Sequence, residues 1–275
     1  MAVEIETSSS RPVRVITYNS QRWQNKLAVD NFVYLLKKRN ASLSLIQESS
    51  TLDGQNAEQI LRPYLGDEWQ IESPTQPGME NLATIWHKKR FPLKNTSTQM
   101  EPLPEPEYEW WHDLYNSREN SPQMAALVTK GKLDGEEIGI VNTHLDIRGG
   151  QTHRLTELKI IARIIEQFNK MIFGGDLNTP FLKKEQLEEI HSVLGNDVVD
   201  LTAHIPWTHR MFISPDKDMS WLFQKTLNFF NLLGIPDYQK LDYLFGKKFR
   251  AKTVRRHNKK GADHFPVEAD GYILP

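Results

Sequence analysis

The chain has 275 residues, long enough for one large domain or two ordinary ones with a substantial buried core. Its 34 lysines and arginines nearly cancel its 35 aspartates and glutamates, so overall charge does not hold it to nucleic acid, although a local basic patch still can. It has no cysteine, which excludes disulfides, thiolate metal sites and a thiol nucleophile, and leaves oxygen and imidazole as the only metal ligands.

In chain order, residues 1–11 read as a flexible tail without the basic-then-apolar pattern of a secretory signal, and no later stretch approaches the roughly 20 apolar residues of a membrane span. A cytoplasmic protein is the expectation. The first apolar run, V-R-V-I-T-Y-N, ends at Asn19. Leu27, Phe32, Leu35 and Leu36 share one face of a helix predicted over 27–39, with Lys37, Lys38 and Arg39 closing its last turn. L-S-L-I-Q-E then ends at Glu48, and a strand is predicted near 82–87. Residues 92–123, with five prolines and Tyr108, Trp110 and Trp111, have no clear period and read as an insertion.

Strands near 124–130 and 137–143 flank Asp134-Gly135, a hairpin turn signal, so they should pair antiparallel. I-G-I-V-N-T-H ends at His144. Residues 151–168 give the strongest helical spacing, through Leu155, Leu158, Ile161, Ile165 and Phe168. M-I-F-G-G-D-L-N supplies a strand at 171–174 followed by Asp176 and Asn178, and a further helix spans 183–195. A second insertion, 204–238, is rich in aromatics and includes a predicted helix around 218–233. The last strands fall near 241–245, with Asp242 at the head, and 264–268, behind Asp263 and His264. Between them lies a run of eight basic residues, from Lys247 to Lys260. Helical crossovers and hairpins together imply an α/β fold with mixed sheets.

Six apolar runs thus end in asparagine, aspartate, glutamate or histidine, the pattern of rigid strands presenting polar side chains at a rim. Each residue alone has a plain reading: a solvated strand end for Glu48, a turn or cap for Asn19, a structural turn for Asp176 and Asn178. The Glu48 carboxylate and the Asn19 amide oxygen, completed by water, suit Mg²⁺ or Mn²⁺, which bind few protein oxygens and keep several waters. Asp176 can orient or deprotonate a water, Asn178 can donate to a phosphate oxygen, and His264 with Asp242 can form an imidazole–carboxylate pair.

T-Y-N, Q-E, N-T-H-L, G-G-D-L-N, L-D-Y and D-H-F-P-V, in this order over residues 12–272, resemble the endonuclease/exonuclease/phosphatase (deoxyribonuclease I-like) superfamily. The resemblance implies a four-layer sandwich, two packed mixed β-sheets flanked by helices, forming a single catalytic domain over 12–275. It implies Glu48 as the main metal ligand, with Asn19 assisting and Asp263 as a second metal-proximal acid. Asp176 would align the attacking water, Asn178 would hold a phosphate oxygen, and His264, oriented by Asp242, would contact the scissile phosphate. His144 would lie near the leaving group with Glu80 as its partner, and Arg118 loosely resembles a phosphate-contacting arginine. The expected activity is that of a monomeric, Mg²⁺-dependent (or Mn²⁺-dependent) phosphodiesterase, with nucleic acid favoured as substrate. The alternatives are a phospholipid or inositol-phosphate phosphohydrolase and a catalytically inactive binding module. The basic run can track a nucleic-acid backbone or simply guard an edge strand.

Overall fold

The computed structural model describes residues 10–106, 122–179, 184–210, 238–258 and 262–275. In chain order the first half contains β1 (Arg11–Asn19), α1 (Lys26–Lys38), β2 (Leu43–Gln47), α2 (Ala57–Leu65), β3 (Trp69–Glu72), β4 (Ala83–His87) and β5 (Lys94–Pro102). The second half contains β6 (Ala125–Leu133), β7 (Glu136–His144), α3 (Gly150–Glu166), β8 (Met171–Asp176) and α4 (Lys184–Leu194). After them come β9 (Val199–Asp200), β10 (His209–Arg210), β11 (Tyr238–Gln239), β12 (Asp242–Lys247), β13 (Phe249–Arg256) and β14 (Val267–Ile273).

Two six-stranded sheets form, in the orders β13-β14-β1-β2-β4-β3 and β5-β6-β7-β8-β12-β9. Each has one parallel pair, β1–β2 and β7–β8, and these two pairs are the ones joined through a helix, α1 and α3. The β6–β7 hairpin turns at Asp134 and Gly135, whose φ of 54° and 90° are those the Asp-Gly pair favours.

Side-chain alternation builds the layers. Val15 and Leu45 point between the sheets, where they meet Ile138, Ile140, Ile172 and Leu244. Their neighbours Ile16 and Ile46 point the other way, onto Phe32 and Leu36 of α1 and Leu61 of α2. Across the molecule Phe173 and Phe245 pack with Leu158 and Ile161 of α3 and Ile190 of α4. Central strands are therefore buried on both faces, which is why they read as unbroken apolar runs. The four-layer α/β sandwich expected from the sequence is the architecture found.

The differences are local. The strand expected at 264–268 begins three residues later, at Val267; Pro266 lacks a backbone N–H, and His264 is left in a single bridge to His209. Within 92–123 lies β5, a largely exposed edge strand without an apolar stripe, so periodicity did not reveal it. Helix α2 also lacked a clear signal, because Pro63 falls in its last turn; Asn56 and Gln59 form its capping box. The helix expected around 218–233 lies outside the described residues.

Candidate active site

Strand register alone assembles most of the site. Asn19 ends β1 beside Gln47, which places Glu48 at the same edge of the first sheet. In the second sheet His144 pairs with Asp176 and Asp176 with Asp242, so three candidate residues occupy one row across β7, β8 and β12. Gly175 permits the β7–β8 approach: its φ is 148°, and an added Cβ would collide with the Thr143 carbonyl oxygen.

Asn19 joins the two sheets. Its Nδ2 donates to Glu48 Oε1 and to Asp176 Oδ2, both at 3.0 Å, while its Oδ1 accepts from the Gln21 backbone at 3.0 Å. Glu48 sits in the left-handed region at φ 49°, as do Gln21, Arg22 and Trp23 at 50°, 54° and 50°. Such backbone costs a non-glycine residue roughly 1–2 kcal/mol and tends to collect at functional sites. Here it is held by hydrogen bonds from Arg22 N and Ser20 Oγ to the Glu48 carbonyl oxygen, at 3.1 and 2.7 Å.

His264 Nδ1 lies 2.9 Å from Asp242 Oδ2, and its Nε2 lies 3.6 Å from Asp176 Oδ2. His144 approaches the same Asp176 oxygen from the opposite strand, Nε2 to Oδ2 3.7 Å, with Glu80 Oε1 4.0 Å from its Nδ1. The latter is an ion-pair distance, too long for a hydrogen bond. Burial by itself would lower both histidine pKa values, but the surrounding acids outweigh it. Glu80 and Asp176 raise His144 to about 9, and Asp242 and Asp176 raise His264 well above its ordinary value. Burial likewise opposes ionisation of Asp176, yet the two imidazoles and the Asn19 amide hold its pKa below the usual range.

Asn178, at φ 46°, donates its backbone N–H to Asp176 Oδ1 at 2.9 Å and its Nδ2 to the Leu145 carbonyl at 2.8 Å. An amide nitrogen carries two protons, so among the described residues one is left over for a ligand. Asp263 Oδ2 is met by Gln21 Nε2 at 3.2 Å and His209 Nε2 at 3.4 Å. The buried oxygens Asp242 Oδ1 and Asp263 Oδ1 have no hydrogen-bond partner among the described residues. Among the described residues, His209–Asp263–His264 and Asp176–Asp242–His264 are clusters tight enough to hold a metal ion.

No protein-family model and no curated protein matches this sequence. Solved structures do match in shape. An endonuclease/exonuclease/phosphatase from Bacteroides vulgatus superposes with a TM-score of 0.67 at 18% identity, covering 96% of this chain and 99% of the other. TDP2 of D. rerio, solved with a single-strand DNA product, gives a TM-score of 0.66 at 12% identity over 94% and 98% of the two chains. A family protein from Leptotrichia buccalis gives 0.64 at 17% identity over 94% and 99%. The chain has the endonuclease/exonuclease/phosphatase fold.

Within that fold, nine of the ten residues singled out in the sequence lie at one edge of the sandwich; Arg118, the tenth, lies outside the described residues, as do Tyr108, Trp110 and Trp111. Asn19 differs in detail from its expected role, since it turns its amide nitrogen toward the acids. Three contributors were missed: Gln21 and His209, which contact Asp263, and Thr208, whose Oγ1 accepts from the backbone of Leu241 and Asp242. None ends an apolar run, and Thr208 and His209 fall within the segment 204–238 that the sequence marks as an insertion. Of the basic run, Lys247 pairs with Asp197, Arg255 with Glu268, and Arg256 lies over Trp207. Arg250, Lys252, Arg255 and Arg256 lie in the edge strand β13, where Arg256 pairs with Val267, while Lys259 and Lys260 lie outside the described residues.

Proposed function

We propose that this protein is a divalent-metal-dependent phosphodiester hydrolase acting on nucleic acid. The observation that carries the reading is the gathering of five acids, Glu48, Glu80, Asp176, Asp242 and Asp263, at one rim, where Asp242 Oδ1 and Asp263 Oδ1 are buried without a hydrogen-bond partner among the described residues. Such a concentration of negative charge is stable only beside cations. The donor set fits Mg²⁺ or Mn²⁺, being carboxylate and imidazole without thiolate. Glu48 and Asp263 would hold the ion, with Asn19 fixing Glu48 in place. When bound, the ion supplies charge neutralisation at the phosphate and at the leaving oxygen.

The side chains account for the remaining steps. Asp176, kept ionised, aligns a water and receives its proton. His264, charged and oriented by Asp242, faces the developing negative charge of the pentavalent phosphorus. His144, also charged, would protonate the leaving oxygen. The second Nδ2–H of Asn178, beside the one given to Leu145, would hold a phosphoryl oxygen without adding repulsion. Nucleic acid as substrate is supported by the likeness in shape to D. rerio TDP2, solved with a single-strand DNA product.

The test is a panel of plasmid DNA, single-stranded RNA, sphingomyelin and inositol phosphates, each with Mg²⁺, Mn²⁺ or excess chelator. Cleavage of nucleic acid that disappears with chelator is expected. Full activity in chelator would overturn the metal reading, and hydrolysis of only the lipid or inositol phosphates would overturn the substrate.

A further inference from the structure

The His264–Asp242 pair spans the two sheets. Asp242 heads β12 in the second sheet, whereas His264 sits in the segment that leads into β14 of the first. Their 2.9 Å contact therefore depends on how the sheets are held at this edge. We propose that Thr208 and His209 are positioning residues, a strap that sets the separation of Asp242 and His264; this deepens the hydrolase reading and rests on it.

Thr208 is fully buried and faces both sides. Toward the second sheet its Oγ1 accepts from Leu241 N at 3.0 Å and Asp242 N at 2.9 Å, and its own N–H donates to the Gln239 carbonyl at 2.8 Å. Toward the first, its carbonyl accepts from Phe265 N at 2.8 Å, and the next-but-one residue, Arg210, donates its N–H to the Asp263 carbonyl at 3.0 Å. His209 lies between these bonds in an antiparallel bridge with His264. Its ring centroid is 4.6 Å from that of His264, and its Nε2 is 3.4 Å from Asp263 Oδ2. One hydroxyl thus fixes the backbone of the carboxylate, while one imidazole packs on its histidine partner and holds the neighbouring acid.

The residue before the strap argues against a ligand-stacking role for this segment. Trp207 packs at 4.3 Å from the Tyr238 ring and edge-on at 5.1 Å to Phe265, with the Arg256 guanidinium 3.0 Å over its own ring. Its faces are taken by side chains of this protein, which anchor the strap.

The experiment compares T208V, T208S and H209A with the wild type by two readouts. The first needs no substrate: the downfield Nδ1–H resonance of His264, which reports its hydrogen bond to Asp242. T208V keeps the shape of threonine but removes the acceptor of two buried N–H groups, so this resonance should move and exchange faster with water, and T208S should restore it. H209A should perturb the same resonance while Asp242 N remains bonded to Thr208. The second readout is turnover: kcat should fall about 10–100-fold in T208V and H209A, the range typical of groups that orient a ligand-contacting residue, with KM little changed and recovery in T208S. An unmoved resonance with unchanged kcat in both T208V and H209A would overturn the strap. If T208V does not fold, the resonance and kcat of H209A decide between the strap and its absence. If the wild type hydrolyses no phosphodiester, the proposed function falls, and the resonance still decides the strap.

Discussion

At the scale of single residues, Asp176 is the most connected group in the site. It accepts from Asn19 and from the Asn178 backbone and stands within 4 Å of two histidines. Its fully buried carboxylate stays ionised because those partners are tailored to the charged form, the state an acceptor of a water proton must have. D176N should therefore lower kcat by about 10²–10⁴-fold, the usual worth of a positioned base. H264A should lower it by about 10²–10³-fold, the scale of losing one electrostatic stabiliser of the transition state. Both variants should keep the wild-type circular dichroism spectrum, because neither residue belongs to an apolar layer. Near wild-type turnover in either would remove that residue from the mechanism.

At the scale of elements, β13 decides between two readings of the basic run. It is the edge strand of its sheet, and lysine on an edge strand discourages pairing with another chain. Lys247 donates to Asp197 at 2.8 Å, and Lys252 lies 4.5 Å over the Tyr272 ring, so both are engaged within the fold. Lys247 also pairs toward Met171 through β12, at the end of the sandwich away from the catalytic row. A K247Q/K252Q double variant should leave the salt dependence of nucleic-acid cleavage unchanged. Had both lysines tracked a duplex, the log–log slope would drop by about 1.8, near 0.9 per lost phosphate contact. Kinetics measured across a salt series distinguish the two outcomes.

At the scale of the whole molecule, Glu268 knits three elements around a fully buried carboxylate. Arg39 at the end of α1 donates to both of its oxygens, at 2.9 and 3.0 Å, His257 lies 3.0 Å away, and Arg255 of β13 lies 3.3 Å away. Burial would raise the Glu268 pKa, but His257 and Arg39 outweigh it and bring it down to about 2 from 4.5. A depressed folded-state pKa means the stabilisation is fully present above about pH 4.5 and is lost as pH falls toward 2. Urea unfolding of the wild type as a function of pH should show that loss. E268Q should be less stable near neutrality by about 3–5 kcal/mol, the cost of breaking a buried ion pair, and should show a flatter acid limb. Equal acid limbs in the two proteins would mean that the network contributes nothing to acid stability.

The sequence by itself determined the layered fold and most of the rim. Strands buried on both faces must be apolar throughout, so the polar residue that ends each run stands out, and the Asp134-Gly135 turn and helical spacings set the connections between runs. It did not reveal α2 or β5, because Pro63 masks the helix and an exposed edge strand needs no apolar stripe. Tertiary structure alone decided how the rim is wired. Asn19 bridges Glu48 and Asp176 through its nitrogen only because the two sheets pack face to face with these strand ends at the same rim. Thr208 and His209 matter only because the segment that enters β10 runs alongside the Asp242–His264 pair, bonded to the backbone on both sides of it. Strand ends follow from local pattern, whereas the contacts between them depend on how two sheets far apart in sequence pack, and no local pattern encodes that distance.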